Sequence, residues 1–154
     1  FDGDGQHDIS YVKNIIEPIM DGKADMVIGS RFIDKNSDGF KTSFSRRIGI
    51  RIISKFIMFA TGKKIYDTTS GFRAVSKKII YDFSLSYPSE YPEPLTTAEI
   101  LKKKYEVLEV PVEMRERTGG VSSIRNWKNV YYMMNVCLAL LAIKVRRYKK
   151  CQED

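Results

Sequence analysis

Hydrophobic and polar positions first follow a helical period and then give way to a short apolar run. Apolar residues recur at helical spacing over residues 8–20, with Asp8 as the N-cap and Gly22 in the stop. Residues 26–28 are apolar and are closed by Gly29. Such a run is typical of a buried strand in an α/β sheet. The chain is therefore predicted to begin with a helix followed by an interior strand.

A longer helix with a basic stripe is predicted over residues 45–61, and Gly62 ends it. Its cations Arg47, Arg51 and Lys55 recur every four residues. Apolar residues fill another face of the helix: Ile48, Ile52, Phe56 and Phe59. The alternative to a functional basic stripe is a solvated helix face, and we expect Lys55 to have only this role.

The pattern between residues 72 and 126 predicts short elements separated by turns. A strand is expected over 72–75 and a brief helix over 77–83. The proline-rich residues 87–95 predict a loop. A helix is expected next over 97–105, capped by Thr96 or Thr97. It is followed by an alternating strand over 105–114 and by a basic, glycine-containing loop over 114–126.

The apolar residues 130–143 precede a basic cluster, and Asn135 is their one strongly polar side chain. A helix of that length spans about 21 Å. A bilayer crossing needs roughly 20 apolar residues, which span about 30 Å. Two interpretations stay open. The segment is either a buried core helix with a solvated tail or a helix that lies on a membrane surface, its cations facing anionic headgroups.

Composition and charge narrow the class of protein. The 154 residues are 43% hydrophobic and contain 2 cysteines, which excludes a disordered tail, a collagen-like fibre and a disulfide scaffold. We expect Cys137 and Cys151 to be free thiols. The formal net charge is +7, yet the first 38 residues carry eight acids and four bases. The acidic start indicates a cation site, and the basic remainder indicates an anionic partner.

The first seven residues, FDGDGQH, form a glycine-rich acidic loop. Asp2 and Asp4 are two residues apart, so both carboxylates can converge on one hard cation such as Mg²⁺ or Mn²⁺. A calcium loop of the EF-hand type would need an acid at its twelfth position, where Lys13 or Tyr11 stands instead. A polar turn that binds no ion is the remaining alternative.

Five segments resemble family 2 glycosyltransferases in their order: the acidic loop, VIGSRF, the SRR helix, DTTSGFRA and EVPVEMRERTGGVSS. The resemblance is closest to polyprenyl-phosphate sugar transferases of the dolichol-phosphate mannosyltransferase type and runs from Phe1 to about Ile143. It implies an α/β fold of the GT-A type, of which this chain is the C-terminal part. A mainly parallel sheet, flanking helices and a C-terminal amphipathic or apolar helix are implied.

The resemblance also implies roles for individual residues. Asp2 and Asp4 would bind the donor through a Mg²⁺ or Mn²⁺ ion, with Gln6 as an additional ligand. Arg31 would lie near the donor phosphates and Asp67 would be the active-site aspartate, so these two are the expected catalytic residues. The expected acceptor-phosphate residues are Arg46, Arg47, Arg73 and Arg117.

Alternatives to these roles also follow from the residues. The alternative role of Arg31 is an exposed salt bridge at a strand end. If the acceptor is a hydroxyl, a general base is needed, and Asp67 or Glu93 would supply it. Glu93 is more simply a solvent-exposed loop acid.

The resemblance has a gap, because the family's nucleotide-binding half should precede the acidic loop. We therefore expect an N-terminal truncation, with a metal- and acceptor-binding part over 1–125. A membrane-associated helix and basic tail are expected over 126–154. The chain on its own is expected to lack donor specificity.

Three functions are weighed on this basis. The leading hypothesis is an inverting transfer of sugar from a nucleoside diphosphate sugar to a polyprenyl phosphate, by a peripheral enzyme at the cytoplasmic membrane face. The second is a transfer to a glycan hydroxyl in cell-envelope polysaccharide synthesis, and the third is a non-catalytic membrane-binding remnant. Nucleic acid is disfavoured as a partner because no recognised binding motif accompanies the charge. A membrane-protein partner or a homo-oligomer is left open.

Overall fold

The structure is a computed structural model that describes residues 7–33, 44–113 and 126–148. The helices in these ranges are α1 (Val12–Met20), α2 (Phe44–Thr61), α3 (Lys77–Leu85), α4 (Pro92–Lys102) and α5 (Asn126–Val145). The strands are β1 (Met26–Ser30), β2 (Arg73–Val75) and β3 (Val107–Pro111). Helices and strands thus mix along the chain, and the α/β fold class is confirmed.

The described strands form one sheet in the order β2-β1-β3, with β1 at its centre. β1 and β3 run parallel, with Ser30 opposite Pro111, whereas β1 and β2 are antiparallel. The sheet in this part of the chain is therefore mixed, and only one of its two pairings fits the expectation of a mainly parallel sheet. The antiparallel pairing arises because β2 follows a turn that leads the chain back along β1.

Two layers of packing cover the sheet, because alternate residues of β1 face opposite sides. Met26 and Ile28 belong to the main core with buried residues of α2, α4 and α5. Val27 faces the other side, where it packs with Ile15 of α1 and with Phe72. All five residues of β1 are buried, as the apolar run predicts.

The predicted boundary signals hold for the end of α2 but not for the start of α1, whose N-cap is Tyr11 rather than Asp8. The Asp8 side chain accepts a hydrogen bond from the backbone of Ser10, at the 3₁₀ turn that precedes α1. Gly62 ends α2 with a φ of +83°, a left-handed conformation that glycine adopts without steric cost. The strand β1, in contrast, continues past Gly29 to Ser30.

The predicted loop over residues 87–95 is wrong at its end, because α4 begins at Pro92 rather than at residue 97. Proline is tolerated in the first turn of a helix, whose N–H groups have no intrahelical acceptor. Thr96 and Thr97 consequently lie inside α4, and their hydroxyls donate to backbone carbonyls one turn earlier. Neither threonine is the N-cap, a position that Tyr91 occupies.

Helices α2 and α5 run parallel and side by side. Gly49 faces the sulfur of Met133 near their starts, and the Lys144 ammonium lies 3.1 Å from the centre of the Phe59 ring near their ends. Helix α5 contributes Val136 to the same core as α2 and α4. No helix in the described ranges is long and apolar enough to cross a membrane.

The apolar residues predicted to share one face of α2 are largely not its buried ones. Ile53 and Ile57 face the core, whereas Ile48, Ile52 and Phe59 are exposed. Helix α5 also exposes apolar side chains, and these recur every three or four residues: Tyr131, Met134, Leu138, Leu141 and Val145. We call these eight exposed residues of the two helices the α2–α5 face.

Candidate functional site

The site is built where β1 ends. Because β1 is the central strand and is covered on both sides, the residue that follows it is buried as well: Arg31 is 8% exposed. A buried guanidinium requires hydrogen-bond acceptors and a counter-charge. Asp67, 36 residues later, supplies both.

Arg31 and Asp67 form a two-pronged ion pair. Arg31 Nε donates to Asp67 Oδ2 at 2.7 Å, and Arg31 Nη2 donates to Asp67 Oδ1 at 2.8 Å. The Arg31 backbone N–H also donates to Asp67 Oδ2, at 3.1 Å. Parallel hydrogen bonds of this type fix the orientation of both side chains. The two expected catalytic residues therefore lie together, and the alternative of an exposed salt bridge is wrong about the exposure.

The turn after Asp67 is held by its own side chains. The Thr69 hydroxyl accepts a second hydrogen bond from Arg31 Nη2, at 3.0 Å. The hydroxyl of Ser70 accepts from the backbone N–H of Phe72, at 3.3 Å. Short polar side chains that bond to backbone two residues on stabilise tight turns. This turn passes directly into β2.

Glu109 of β3 holds the same turn from the opposite side. Its two carboxylate oxygens accept hydrogen bonds from the backbone N–H groups of Tyr66 and Asp67, each at 2.8 Å. Burial raises the pKa of the Glu109 carboxyl above its ordinary value, and these hydrogen bonds oppose that shift. Asp67 is thus held by Arg31 through its side chain and by Glu109 through its backbone.

Arg73 ties the turn to the start of α4. Its Nε donates to the carbonyl of Ser70 at 2.6 Å, and its Nη1 donates to the carbonyl of Glu93 at 3.0 Å and to the Thr96 hydroxyl at 3.2 Å. Burial lowers the pKa of Arg73, although arginine stays charged in proteins. Its Nη2 is buried and has no hydrogen-bond partner among the described residues.

The other expected acceptor-phosphate residues are arranged differently. Arg46 and Arg47 are exposed in the first turn of α2. The pKa of Tyr132 on α5 is raised by burial and by Glu93, and the charge of Arg46 lowers it. Arg46, Glu93 and Tyr132 are therefore electrostatic neighbours where α2, α4 and α5 meet. Glu93 lies in the first turn of α4 and is half-buried, not a freely exposed loop acid.

Several expected site residues lie outside the described part of the chain: Asp2, Asp4, Gln6 and Arg117. Within residues 7–33, 44–113 and 126–148, no group of three or more acidic, histidine or cysteine side chains could hold a metal ion. His7, which follows Gln6 in sequence, stacks on Phe72 with ring centroids 4.8 Å apart. The described chain therefore begins beside the turn that carries Asp67.

Sequence reasoning missed Glu109, although a signal for it exists. The segment over residues 105–114 alternates, and Glu109 falls on the same side of β3 as Val107, which is buried. A carboxylate at an inward position of a strand requires donors nearby. The pattern could have identified Glu109 as a residue with a buried partner, but not which backbone it binds.

Comparisons with known proteins point to one family of enzymes. The sequence profile of glycosyl transferase family 2 matches residues 1–83. Glycosyltransferase AglJ of Haloferax volcanii is 30% identical over 119 residues, which is 77% of this chain and 38% of that protein.

Two further relatives carry names that state an acceptor. The UDP-N-acetylglucosamine–dolichyl-phosphate N-acetylglucosaminyltransferase of Methanococcus voltae is 31% identical over 73% of this chain and 45% of its own length. The polyprenol monophosphomannose synthase of Mycolicibacterium smegmatis is 27% identical over 80% of this chain and 47% of its own length. The chain thus spans less than half the length of these three relatives.

Proposed function

This chain belongs to glycosyltransferase family 2, and on that premise we propose that its protein transfers a sugar from a nucleoside diphosphate sugar to a polyprenyl phosphate. An oxygen of the lipid phosphate attacks the anomeric carbon, and the bond from that carbon to the diphosphate breaks. The nucleoside diphosphate leaves with the electron pair, and because the attack comes from the face opposite this leaving group, the configuration of the sugar is inverted. The names of the relatives from Methanococcus and Mycolicibacterium support this acceptor class.

The single observation that carries the proposal is the state of Asp67. Both of its carboxylate oxygens accept hydrogen bonds from Arg31, and its side chain is fully buried. A carboxylate held in this way is poorly placed to remove a proton from a substrate hydroxyl. A phosphate monoester is already ionised near neutral pH, since its second pKa is about 6. It needs no general base, and the state of Asp67 therefore supports a lipid phosphate as the acceptor.

The arginines have separate tasks in this proposal. Arg31, oriented by Asp67, faces the donor phosphates, and Arg46, Arg47 and Arg117 bind the acceptor phosphate. A guanidinium suits both tasks because its planar fork donates to two phosphate oxygens at once. The Nε and Nη1 of Arg73 donate to the turn and to α4. Its buried Nη2 is therefore the donor that remains for the acceptor phosphate.

A divalent cation fits the donor set of the acidic loop. Asp2, Asp4 and Gln6 would hold it, because carboxylate and amide oxygens are the ligands that Mg²⁺ and Mn²⁺ prefer. When bound, such an ion neutralises the diphosphate and makes it a better leaving group. The acidic start of the chain is consistent with this role.

We also propose that the protein is peripheral to the membrane and docks through the α2–α5 face. The apolar residues of this face stand beside the cations Arg47, Arg51, Lys55 and Lys144. An anionic lipid surface complements such a mixture of apolar and cationic side chains. The same surface would present the polyprenyl phosphate to the first turn of α2. The cytoplasmic side of the membrane is the one expected from the family resemblance.

The proposal is tested by substituting Asp4 in the protein as its gene encodes it. We expect Asp4→Ala to lower sugar transfer to polyprenyl phosphate by about a hundredfold or more, since a metal ligand is lost. The matched control is Asp21→Ala, which removes an exposed carboxylate that pairs with Lys23. Transfer is measured with radiolabelled donor in detergent, with and without EDTA.

Each other outcome of this assay has a stated meaning. If Asp4→Ala and the control retain equal transfer, the metal mechanism is wrong. Transfer to a glycan hydroxyl but not to the lipid phosphate would replace the acceptor by the alternative class. A wild-type protein that binds vesicles and transfers no sugar to either acceptor would identify a non-catalytic remnant.

A further inference from the structure

Glu109 belongs to strand β3, yet its carboxylate binds the turn that carries Asp67. It lies on β3 opposite Ile28 of β1, two residue pairs before the edge where Arg31 stands. From there its two oxygens accept from two consecutive backbone N–H groups, those of Tyr66 and Asp67. One side chain thereby binds the N–H groups of two successive peptide units, on either side of the Tyr66 Cα, which restricts the backbone there more than a single hydrogen bond does.

This arrangement is unfavourable on charge alone. Glu109 is desolvated by burial, and the neighbouring negative charge of Asp67 raises its pKa further. An apolar side chain at this position of the strand would avoid both costs. The two backbone hydrogen bonds and a side-chain hydrogen bond from Ser30 oppose them. The observed glutamate is therefore better explained by the turn it holds than by the packing of the strand.

The charge of Glu109 is one member of a group of interacting charges. Asp67 is bound to Arg31, and Arg73 interacts electrostatically with both Asp67 and Glu109. Glu93 at the start of α4 also interacts with Arg73, so two guanidinium groups face three carboxylates. Removing one charge from such a group shifts the positions of the others, because their mutual attraction is little screened.

We propose that Glu109 is a positioning residue of the transferase site. It fixes the backbone of Tyr66 and Asp67, so that Asp67 in turn holds the Arg31 guanidinium in the orientation that serves the donor phosphates. The proposal rests on the function proposed above, because it assigns to Arg31 a role in sugar transfer. It adds a residue that touches neither substrate and acts only through the Asp67–Arg31 pair.

The test compares Glu109→Gln, Glu109→Ala and the control Glu106→Gln. Gln keeps the shape and one acceptor oxygen, whereas Ala removes both acceptors. Glu106 precedes the same strand, and its carboxylate pairs with Lys63 at the surface, so its substitution removes an equal charge without touching the turn. The three variants therefore separate loss of charge from loss of the backbone contacts.

We expect a split between kcat and KM. Losing one charge-assisted hydrogen bond should lower kcat about tenfold in Glu109→Gln, and Glu109→Ala should lose more. The KM for the nucleotide sugar should stay within about twofold, because a misaligned Arg31 weakens transition-state contacts more than donor binding. Glu106→Gln should match the wild type. Transfer is measured in the protein as its gene encodes it, with the folded fraction determined by circular dichroism.

Hydrogen–deuterium exchange supplies a second readout that needs no activity. The amides of Tyr66 and Asp67 should exchange about tenfold faster in Glu109→Gln than in the wild type, since their shared acceptor is weakened. Exchange in β1 and α4 should be unchanged. The same peptide in Glu106→Gln serves as the reference.

Three results would overturn the proposal. The first is a Glu109→Gln variant with wild-type kcat, and the second is a kcat that falls only in proportion to the folded fraction. The third is unaltered exchange at residues 66 and 67. If Glu109→Ala does not fold, Glu109→Gln alone decides. A wild-type protein that transfers no sugar, with faster exchange in Glu109→Gln, would instead refute the proposed function and leave the turn contact standing.

Discussion

Arg31 and Asp67 illustrate how much a buried charge depends on its partner. Their side chains are 5% and 0% exposed, and three hydrogen bonds join the two residues. A buried ion pair adds little net stability over apolar side chains, but leaving one partner alone is costly. The pair therefore orients Arg31, and removing either partner should lower stability and, under the proposed function, also activity.

Asp67→Asn should strongly destabilise the protein. It leaves the Arg31 guanidinium buried without a counter-charge, which we expect to lower the free energy of unfolding by about 3 to 5 kcal/mol. The measurement is urea denaturation followed by circular dichroism. The control is Asp21→Asn, because the Asp21–Lys23 pair is exposed and its loss should cost less than about 1 kcal/mol. Equal losses for the two variants would show that Arg31 is solvated in the native state.

The individual residues of the site were only partly predictable from sequence. Arg31 and Asp67 follow from the family resemblance, but their pairing bridges 36 positions and no local spacing encodes it. Glu109 escaped because alternation in a strand fixes which side a residue faces, not which backbone lies there. The family motifs selected residues that lie together in the fold, whereas the contacts between them depend on how distant segments of the chain meet.

At the scale of elements, glycine and proline differed as signals for the ends of helices. Gly62 ended α2 as predicted, because its position requires a positive φ. Pro92 and Pro94 predict a loop, yet both fit the first turn of α4. The burial of α2 was also ambiguous, since apolar residues occupy two of its faces and only the position of the sheet selects one.

Lys104, just after α4, gives a prediction about backbone strain. It is exposed with a φ of +66°, a conformation that costs a non-glycine residue about 1 to 2 kcal/mol. Lys104→Gly should therefore raise the free energy of unfolding by about 0.5 to 1 kcal/mol, part of the gain being lost to the greater freedom of the unfolded chain.

The control for Lys104 is Arg51→Gly, at an exposed position in the middle of α2. Glycine in a helix interior costs about 1 kcal/mol, so this variant should shift stability in the opposite direction. Thermal unfolding of both variants measures the two signs. A decrease for Lys104→Gly would mean that the lysine side chain contributes more than the backbone strain costs.

At the scale of the whole molecule, the α2–α5 face is the surface whose role can be tested most directly. We expect Leu138→Glu to reduce binding to vesicles that contain about 30% anionic lipid by several-fold, because a charge replaces an inserted apolar side chain. The control is Leu85→Glu on α3, where the leucine is equally exposed, at 62% against 60% for Leu138. Flotation of the vesicles measures binding.

The vesicle experiment also separates insertion from charge attraction. If both variants bind as the wild type does, the exposed residues of α5 do not contact lipid. Loss in both variants alike would assign the effect to added negative charge rather than to the α2–α5 face. Raising the salt concentration should weaken wild-type binding, since the cations beside the face act through the lipid headgroups.

The order in which the core is assembled has a consequence for synthesis of the protein. The Asp25 carboxylate accepts from the backbone of Glu106, which is 81 residues later in the chain, at the point where β1 and β3 begin to pair. At about 5 to 20 residues per second, a ribosome needs roughly 4 to 16 s to make that stretch. Until then β1 lacks β3, the strand with which it pairs in parallel. During this interval the nascent chain carries apolar side chains without their final packing, which is the condition under which folding intermediates aggregate.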